Sequence, residues 1–186
     1  MRRPWNIINL PIYSLQTVDS NGKLNMNICT YVSVVSMKPK IYSIAIYYGT
    51  KTIENLENSS NAVLQILSRE NIGLVKNLGK KSGLKIDKDK YLRKQNLLKW
   101  KEYEVLDKSC ALIELKKSDC IKNHGDHAIY LFDLVSSKTI NENDILLAKA
   151  SEGIVTDKGL NDVTPSSTSW AVPRSYSSFS SSKSQS

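Results

Sequence analysis

The run Ile41-Tyr42-Ser43-Ile44-Ala45-Ile46-Tyr47-Tyr48 carries apolar residues on both of its alternating faces. A strand built from it needs cover on each side, which makes it a central strand or a barrel wall. Just upstream, Asn25 to Ser36 is rich in β-branched residues and reads as one strand, parted from the first by the breaker Lys38-Pro39-Lys40. Ile7 to Val18 reads as extended, and Asp19-Ser20-Asn21-Gly22 as a turn whose Asn-Gly suits positive φ. Further strands are expected at Ala62 to Leu67, near Val105, from Ala111 to Leu115 and from His127 to Val135.

Helices fill the connections. Two turns are expected to begin near Thr52, with Ile53 and Leu56 inward and Glu54 and Glu57 favourably placed near the N-terminus. A second helix is expected over Glu70 to Leu78 with Gly79 as its C-cap, and a last one over Glu142 to Ala150. Lys80 to Trp100 reads as a loop and a second amphipathic piece. The order β-β-β-α-β-α-α-β-β-β-α describes a mainly β chain with peripheral helices, best satisfied by a small barrel. Residues 1–160 are expected to form this one domain. Beyond about Asn161 the composition changes, with 11 serines among the last 21 residues, and a disordered tail over 161–186 is expected.

No stretch approaches the roughly 20 apolar residues of a membrane span, and Asn6, Asn9 and Pro11 interrupt any signal-peptide core. A cytoplasmic protein is the resulting expectation. Cys29, Cys110 and Cys120 form no CxxC pair and are odd in number, which fits free thiols in a reducing compartment. The formal charge is +8, and Arg69 to Lys101 alone holds eleven basic against three acidic residues, so the whole excess lies in that segment. Such a segment attracts anions: nucleotide phosphates, nucleic acid or an acidic partner.

GxGxxG, Walker, GxSxG and HExxH signatures are all missing. A cofactor enzyme does not need them, because the cofactor brings the reactive atoms. Thr30, Ser33 and Ser36 are small hydroxyl residues in a strand otherwise built of Val, Ile and Tyr. Small side chains let a flat ring approach the backbone, and hydroxyls bond ribityl or phosphate oxygens. Thr50-Lys51-Thr52 offers hydroxyls, a cation and a helix N-terminus, and Gly79-Lys80-Lys81-Ser82-Gly83 is a basic loop with two glycines. His127 stands at the rim of an apolar strand. Cys120, His124, Asp126 and His127 are compact, but a second ligand pair at zinc-finger spacing is lacking. Tyr42, Tyr47, Tyr48 and Trp100 would serve base stacking, yet the tyrosines sit in an apolar strand where core packing explains them better.

Asn25 to Ser36, Lys38-Pro39, the strand Ile41 to Tyr48, Thr50-Lys51-Thr52, Gly79 to Gly83 with Asp89-Lys90-Tyr91, and Gly125-Asp126-His127 follow one another in an order that resembles the flavin reductase-like family of FMN-binding split β-barrels. The resemblance spans roughly Trp5 to Val155. It implies FMN, or FAD, held by Asn25, Thr30, Tyr31, Ser33, Val34, Ser36, Thr50, Lys51 and Thr52, with Lys80, Ser82 and Lys88 or Lys90 near the flavin. By the same resemblance His127 lies on the nicotinamide side and positions the donor, NADH or NADPH. A homodimer with the flavin at the subunit seam is implied, with a monooxygenase or free flavin as acceptor. Phe132 stands where the family often has glycine, and a bulky residue there is expected to alter which nicotinamide fits, or to block it. Alternative readings are a flavin-binding barrel without reductase activity, a pyridoxamine-phosphate-oxidase-like barrel, and a basic nucleic-acid-binding barrel.

Overall fold

The computed structural model describes residues 7–150. The serine-rich stretch lies outside the described residues. Among the described residues, the elements follow in the order β1 (Tyr13–Val18), β2 (Leu24–Cys29), β3 (Val32–Met37), β4 (Lys40–Tyr47), α1 (Lys51–Asn58), β5 (Asn61–Ile66), α2 (Ile72–Lys80), α3 (Lys88–Leu92), β6 (Leu97–Trp100), β7 (Tyr103–Leu106), β8 (Ala111–Ile121) and β9 (His127–Thr139). Seven of the strands make one antiparallel sheet in the order β2-β1-β5-β8-β9-β4-β3, and β6-β7 is a separate hairpin.

The two edges of that sheet, β2 and β3, are consecutive in the chain and are joined by only Thr30 and Tyr31. A link that short spans less than about 10 Å, so the sheet must curl until its edges nearly meet. They do not pair with each other, which leaves a barrel with a slit. The expected single strand from Asn25 to Ser36 is therefore two. Cys29 pairs with Tyr13 on β1, whereas Val32 pairs with Ile44 on β4. β-branched composition continues across the break because both halves are strands. Only their partners differ.

Inside the barrel, Leu15, Ile44, Ile46, Leu64, Leu115, Ala128, Tyr130 and Phe132 form the main core, closed at one end by Leu56 of α1. A second core lies outside the wall, where α2 and α3 set Val75, Leu78 and Leu92 against Leu24 and Met26 of β2. The Asn21-Gly22 turn is as expected: Gly22 has φ 74°, and Asp19 Oδ1 accepts from the amides of Asn21 and Lys23, both at 2.9 Å.

Two helix expectations are corrected. α2 runs through Gly79 to Lys80, and its C-cap is Lys81. Gly79 lies within the helix, and a Cβ there would meet Ile28 of β2 at ordinary van der Waals distance, 3.4 Å. The expected helix over Glu142 to Ala150 is extended over 145–147, and only residues 148–150 are helical. Ile145 bridges Ser68 and Leu147 bridges Pro11, while Ile12 N donates to Leu146 O at 2.9 Å and Leu146 N to Leu67 O at 2.8 Å. The run Ile145-Leu146-Leu147 suits either conformation, and the open backbone groups of Ile12 and Leu67 select the extended one.

Candidate functional site

Strand alternation defines an outer face on β3, β4 and β9. Ile44 and Ile46 point into the barrel core, so Ser43, Ala45 and Tyr47 point outward. The register sets Ser33 beside Ser43, and on the other side Ile129 beside Ala45 and His127 beside Tyr47. The result is a wall of small side chains, Ser33, Ser43 and Ala45, rimmed by larger ones. A register shift between Val34 and Ser36 returns Ser36 to this face opposite Ile41. Val34 pairs with Tyr42 and falls on the opposite face from Ser33, so it leaves the set expected to line a ring.

His127 is held at the rim. Its Nδ1 lies 2.6 Å from Asp126 Oδ1, and its ring meets Tyr31 and Tyr47 edge-on at centroid distances of 5.6 and 5.4 Å. The imidazole contact holds the Asp126 carboxyl below its ordinary range. Phe132 does not reach this face. It is fully buried in the barrel and stacks with Tyr130 at 6.2 Å, so the expected obstruction of the nicotinamide side is withdrawn.

The start of α1 joins this face to a second set of residues. Thr50 caps the helix: its Oγ1 donates to Tyr47 O at 3.0 Å and accepts from Ile53 N at 3.5 Å. Thr50 engages the amides of Ile53 and Glu54, which leaves those of Lys51 and Thr52, with the helix dipole, to favour an anion. Lys51 Nζ lies 2.5 Å from Glu54 and 3.8 Å from Asp19, so carboxylates share its charge. Thr52 is buried and turned inward. Asn25 Nδ2 donates to Thr52 Oγ1 at 3.1 Å and to Thr17 Oγ1 at 3.3 Å, and Asn55 Nδ2 donates to Thr17 Oγ1 at 3.0 Å. This network ties α1 to β1 and β2. It gives Asn25 and Thr52 a structural role that the sequence pattern does not reveal.

Asn25 Oδ1 is buried without a partner. It lies beside Gly83 in a cleft of about 310 Å³ lined by four lysines, Lys51 and Lys85 among them, and by Asp19, Asp87 and Asp89. Ser82 shapes the loop there: its C=O accepts from Lys85 N at 3.0 Å and its Oγ from Leu84 N at 3.3 Å. Lys80 ends α2 at the edge of this loop. Lys90 is exposed on α3 and does not line the cleft, whereas Lys88 does. Thr30, in the link between β2 and β3, accepts from Val32 N at 3.0 Å through its carbonyl. Gly83 belongs to the expected Gly79 to Gly83 loop, whereas Ser43, Ala45 and Tyr47 are not among the expected flavin contacts. The signal for Ser43 and Ala45 is their alternation with Ile along β4, legible once one face is known to be inward.

Lys88 is buried, and its Nζ donates to Met26 O at 2.9 Å and Leu78 O at 2.6 Å. Burial lowers its pKa to about 8. An unfolded lysine keeps its proton to about pH 10.4. Between those values the unfolded chain binds more protons than the folded one, so this group makes stability rise with pH through the window. Urea titrations at stepped pH are expected to show that rise, and Lys88→Met to flatten it. A wild-type curve no steeper than the variant's would refute the assignment.

Among the described residues, no helix is long and apolar enough to cross a membrane. An open seven-stranded split barrel with a small-residue outer face beside a helix N-terminus defines a class of ligand-binding β-barrels. Residues 7–152 match the flavin reductase like domain, and the chain belongs to the flavin reductase-like family. No curated protein sequence matches it. Among solved structures, it is similar to a NADH:FAD oxidoreductase from Streptomyces globisporus, with TM-score 0.65, 12% identity, and coverage of 75% of this chain and 81% of that one. The styrene monooxygenase flavin reductase from Pseudomonas putida gives TM-score 0.63 and 14% identity, covering 75% and 86%. An FMN-binding protein from Thermus thermophilus gives 0.64 and 15%, covering 75% of each chain.

Proposed function

We propose that the protein is an NAD(P)H-dependent flavin reductase that uses FMN, or FAD in its place. The observation that carries this is the meeting, in one chain, of the Ser33-Ser43-Ala45 face with the capped start of α1. Small side chains leave room for a flat ring against the strands. The hydroxyls of Ser33 and Ser43 suit its polar edge and ribityl chain, while Thr50 fixes the helix start beside them. The first-turn amides of α1 and the Lys51 side chain suit a phosphate. Asn25 Oδ1, an unpartnered buried acceptor beside a glycine backbone, adds a polar contact point next to that helix start.

When bound, the flavin supplies the acceptor for a hydride from NADH or NADPH. The protein's part is alignment. Asp126 fixes the His127 ring through Nδ1, and Tyr31 and Tyr47 flank it, so the imidazole forms a fixed wall beside the ring face. No protein base is needed for hydride transfer, which makes His127 a positioning group for the nicotinamide. His127→Ala is expected to lower kcat/KM for NADH or NADPH by about 10- to 100-fold, the range set by lost alignment. Its flavin affinity is expected to change little. Equal losses in both would assign His127 to flavin binding instead.

A homodimer belongs to the same reading. β3 is a sheet edge with Val34, Val35 and Met37 exposed, which a second copy would cover. Electrons would leave to a monooxygenase or to free flavin. The deciding experiment adds FMN to the purified protein and then, without oxygen, NADH or NADPH. Loss of the absorbance near roughly 450 nm under either donor is the expected result. Bleaching by dithionite alone would leave a flavin-binding protein without reductase activity, and no bound flavin at all would end the proposal.

A further inference from the structure

The positive excess between Arg69 and Lys101 has a structural address. α2, the loop after it and α3 form one layer on β2, anchored through Val75, Leu78 and Leu92. The helix faces turned away from those anchors meet solvent. Lys76 on α2, Lys81 and Lys85 in the loop, and Lys90 and Lys94 on and just after α3 are all exposed. The acidic side chains of the same layer are engaged within the fold. Asp87 Oδ1 accepts from Lys90 N at 3.1 Å and its Oδ2 pairs with Lys23 at 3.2 Å, while Asp89 Oδ1 accepts from Leu24 N at 3.0 Å and from Arg93 at 3.2 Å. Among the described residues, none of the five lysines joins an ion pair. Lys81 and Lys85 flank Gly83, which seats against Asn25 and Lys51. The unneutralised face thus borders the proposed flavin site.

We propose that this α2–α3 face docks an acidic surface of the protein that receives the reduced flavin or its electrons. The proposal rests on the flavin reading and names the partner's chemistry for that site. Solvated lysines around a site steer an anionic protein surface into a brief encounter, which a handover requires. A single-stranded nucleic acid fits less well. It calls for stacking rings and free guanidinium groups, whereas the Tyr91 ring packs against the second core and Arg93 is held by Asp89 and Glu104. A lipid surface calls for a band of apolar anchors, and only Leu84 is an exposed large apolar residue among residues 72–94.

The test uses the full chain with three probes of matched charge: a polyglutamate peptide, a single-stranded oligonucleotide and phosphatidylserine vesicles. Polyglutamate is expected to bind most tightly, weakening by about tenfold between about 50 and about 200 mM salt. Its amide chemical-shift changes are expected to fall on residues 76–94. The variant K76Q/K90Q/K94Q is expected to lose about tenfold in affinity, and K116Q/K122Q/K138Q, which removes equal charge from the β8–β9 side, less than about twofold. Equal losses in both variants, shifts centred elsewhere, or tighter binding of oligonucleotide or vesicles would overturn the proposal. FMN titration of the same proteins separates the two readings. Bound FMN without polyglutamate binding at this face sinks only the docking surface, and the reverse pattern sinks only the flavin assignment.

Discussion

Ala45→Ile is expected to abolish measurable flavin binding while leaving the barrel standing. Ala45 sits mid-strand on β4, between Ile44 and Ile46 that are buried in the core, and opposite Ile129 of β9. A β-branched side chain at an outward position suits a strand, so the backbone has no reason to move. The added carbons occupy the space over Ser43 that a flat ring would need. We expect the dissociation constant for FMN to rise by at least about a hundredfold, equivalent to about 3 kcal/mol. Flavin fluorescence quenching measures this, with the far-ultraviolet circular dichroism and melting temperature close to wild type. Retained affinity in a folded variant would move the ring off this face.

Gly83→Ala should act on both stability and ligand affinity, through a different contact. A Cβ at Gly83 would lie 2.5 Å from Asn25 Oδ1 and 2.9 Å from Lys51 Cβ. Neither neighbour yields easily. Asn25 is held by Thr17 and Thr52, and Lys51 Cβ belongs to the first turn of α1. The loop must lift instead, at a cost of about 1–3 kcal/mol for overpacking, and FMN affinity is expected to fall about tenfold or more as the cleft opens. Gly73→Ala is the matched control. Nothing lies within 4 Å of its Cβ position in α2, so the substitution should stabilise by up to about 1 kcal/mol through helix propensity. Urea midpoints of opposite sign are the expected pair. A neutral Gly83→Ala would show that the loop is not seated on Asn25.

Part of the candidate site is legible in the sequence, and particular residues show why the rest is not. Ser33, Ser36, Thr50 and His127 are visible as hydroxyls and an imidazole in strands or at a helix start. Thr52 and Asn25 carry the same chemical signal, yet they bond one another in the interior. Spacing cannot tell a hydroxyl that faces a ligand from one that faces an asparagine 27 residues away. Lys88 and Lys90 are equally basic in the sequence, and only helix phase against β2 buries one and exposes the other. Phe132 reads as an obstruction in the sequence, but β9 turns it inward with Ala128 and Tyr130.

The positions of β1, β4, β5, β8, β9, α1 and α2, the Asn-Gly turn, the cap at Thr50 and the location of the charge follow from local sequence. Each depends on backbone preferences and on residues within a turn or two of one another. Which residues stand together does not follow locally. The division of Asn25 to Ser36 between β1 and β4, the extended path of 145–147, and the outward face of Ser33, Ser43 and Ala45 are all products of pairing between distant segments. Strand propensity is the same whichever neighbour a strand takes, so only the closed set of hydrogen bonds and the buried core choose among them.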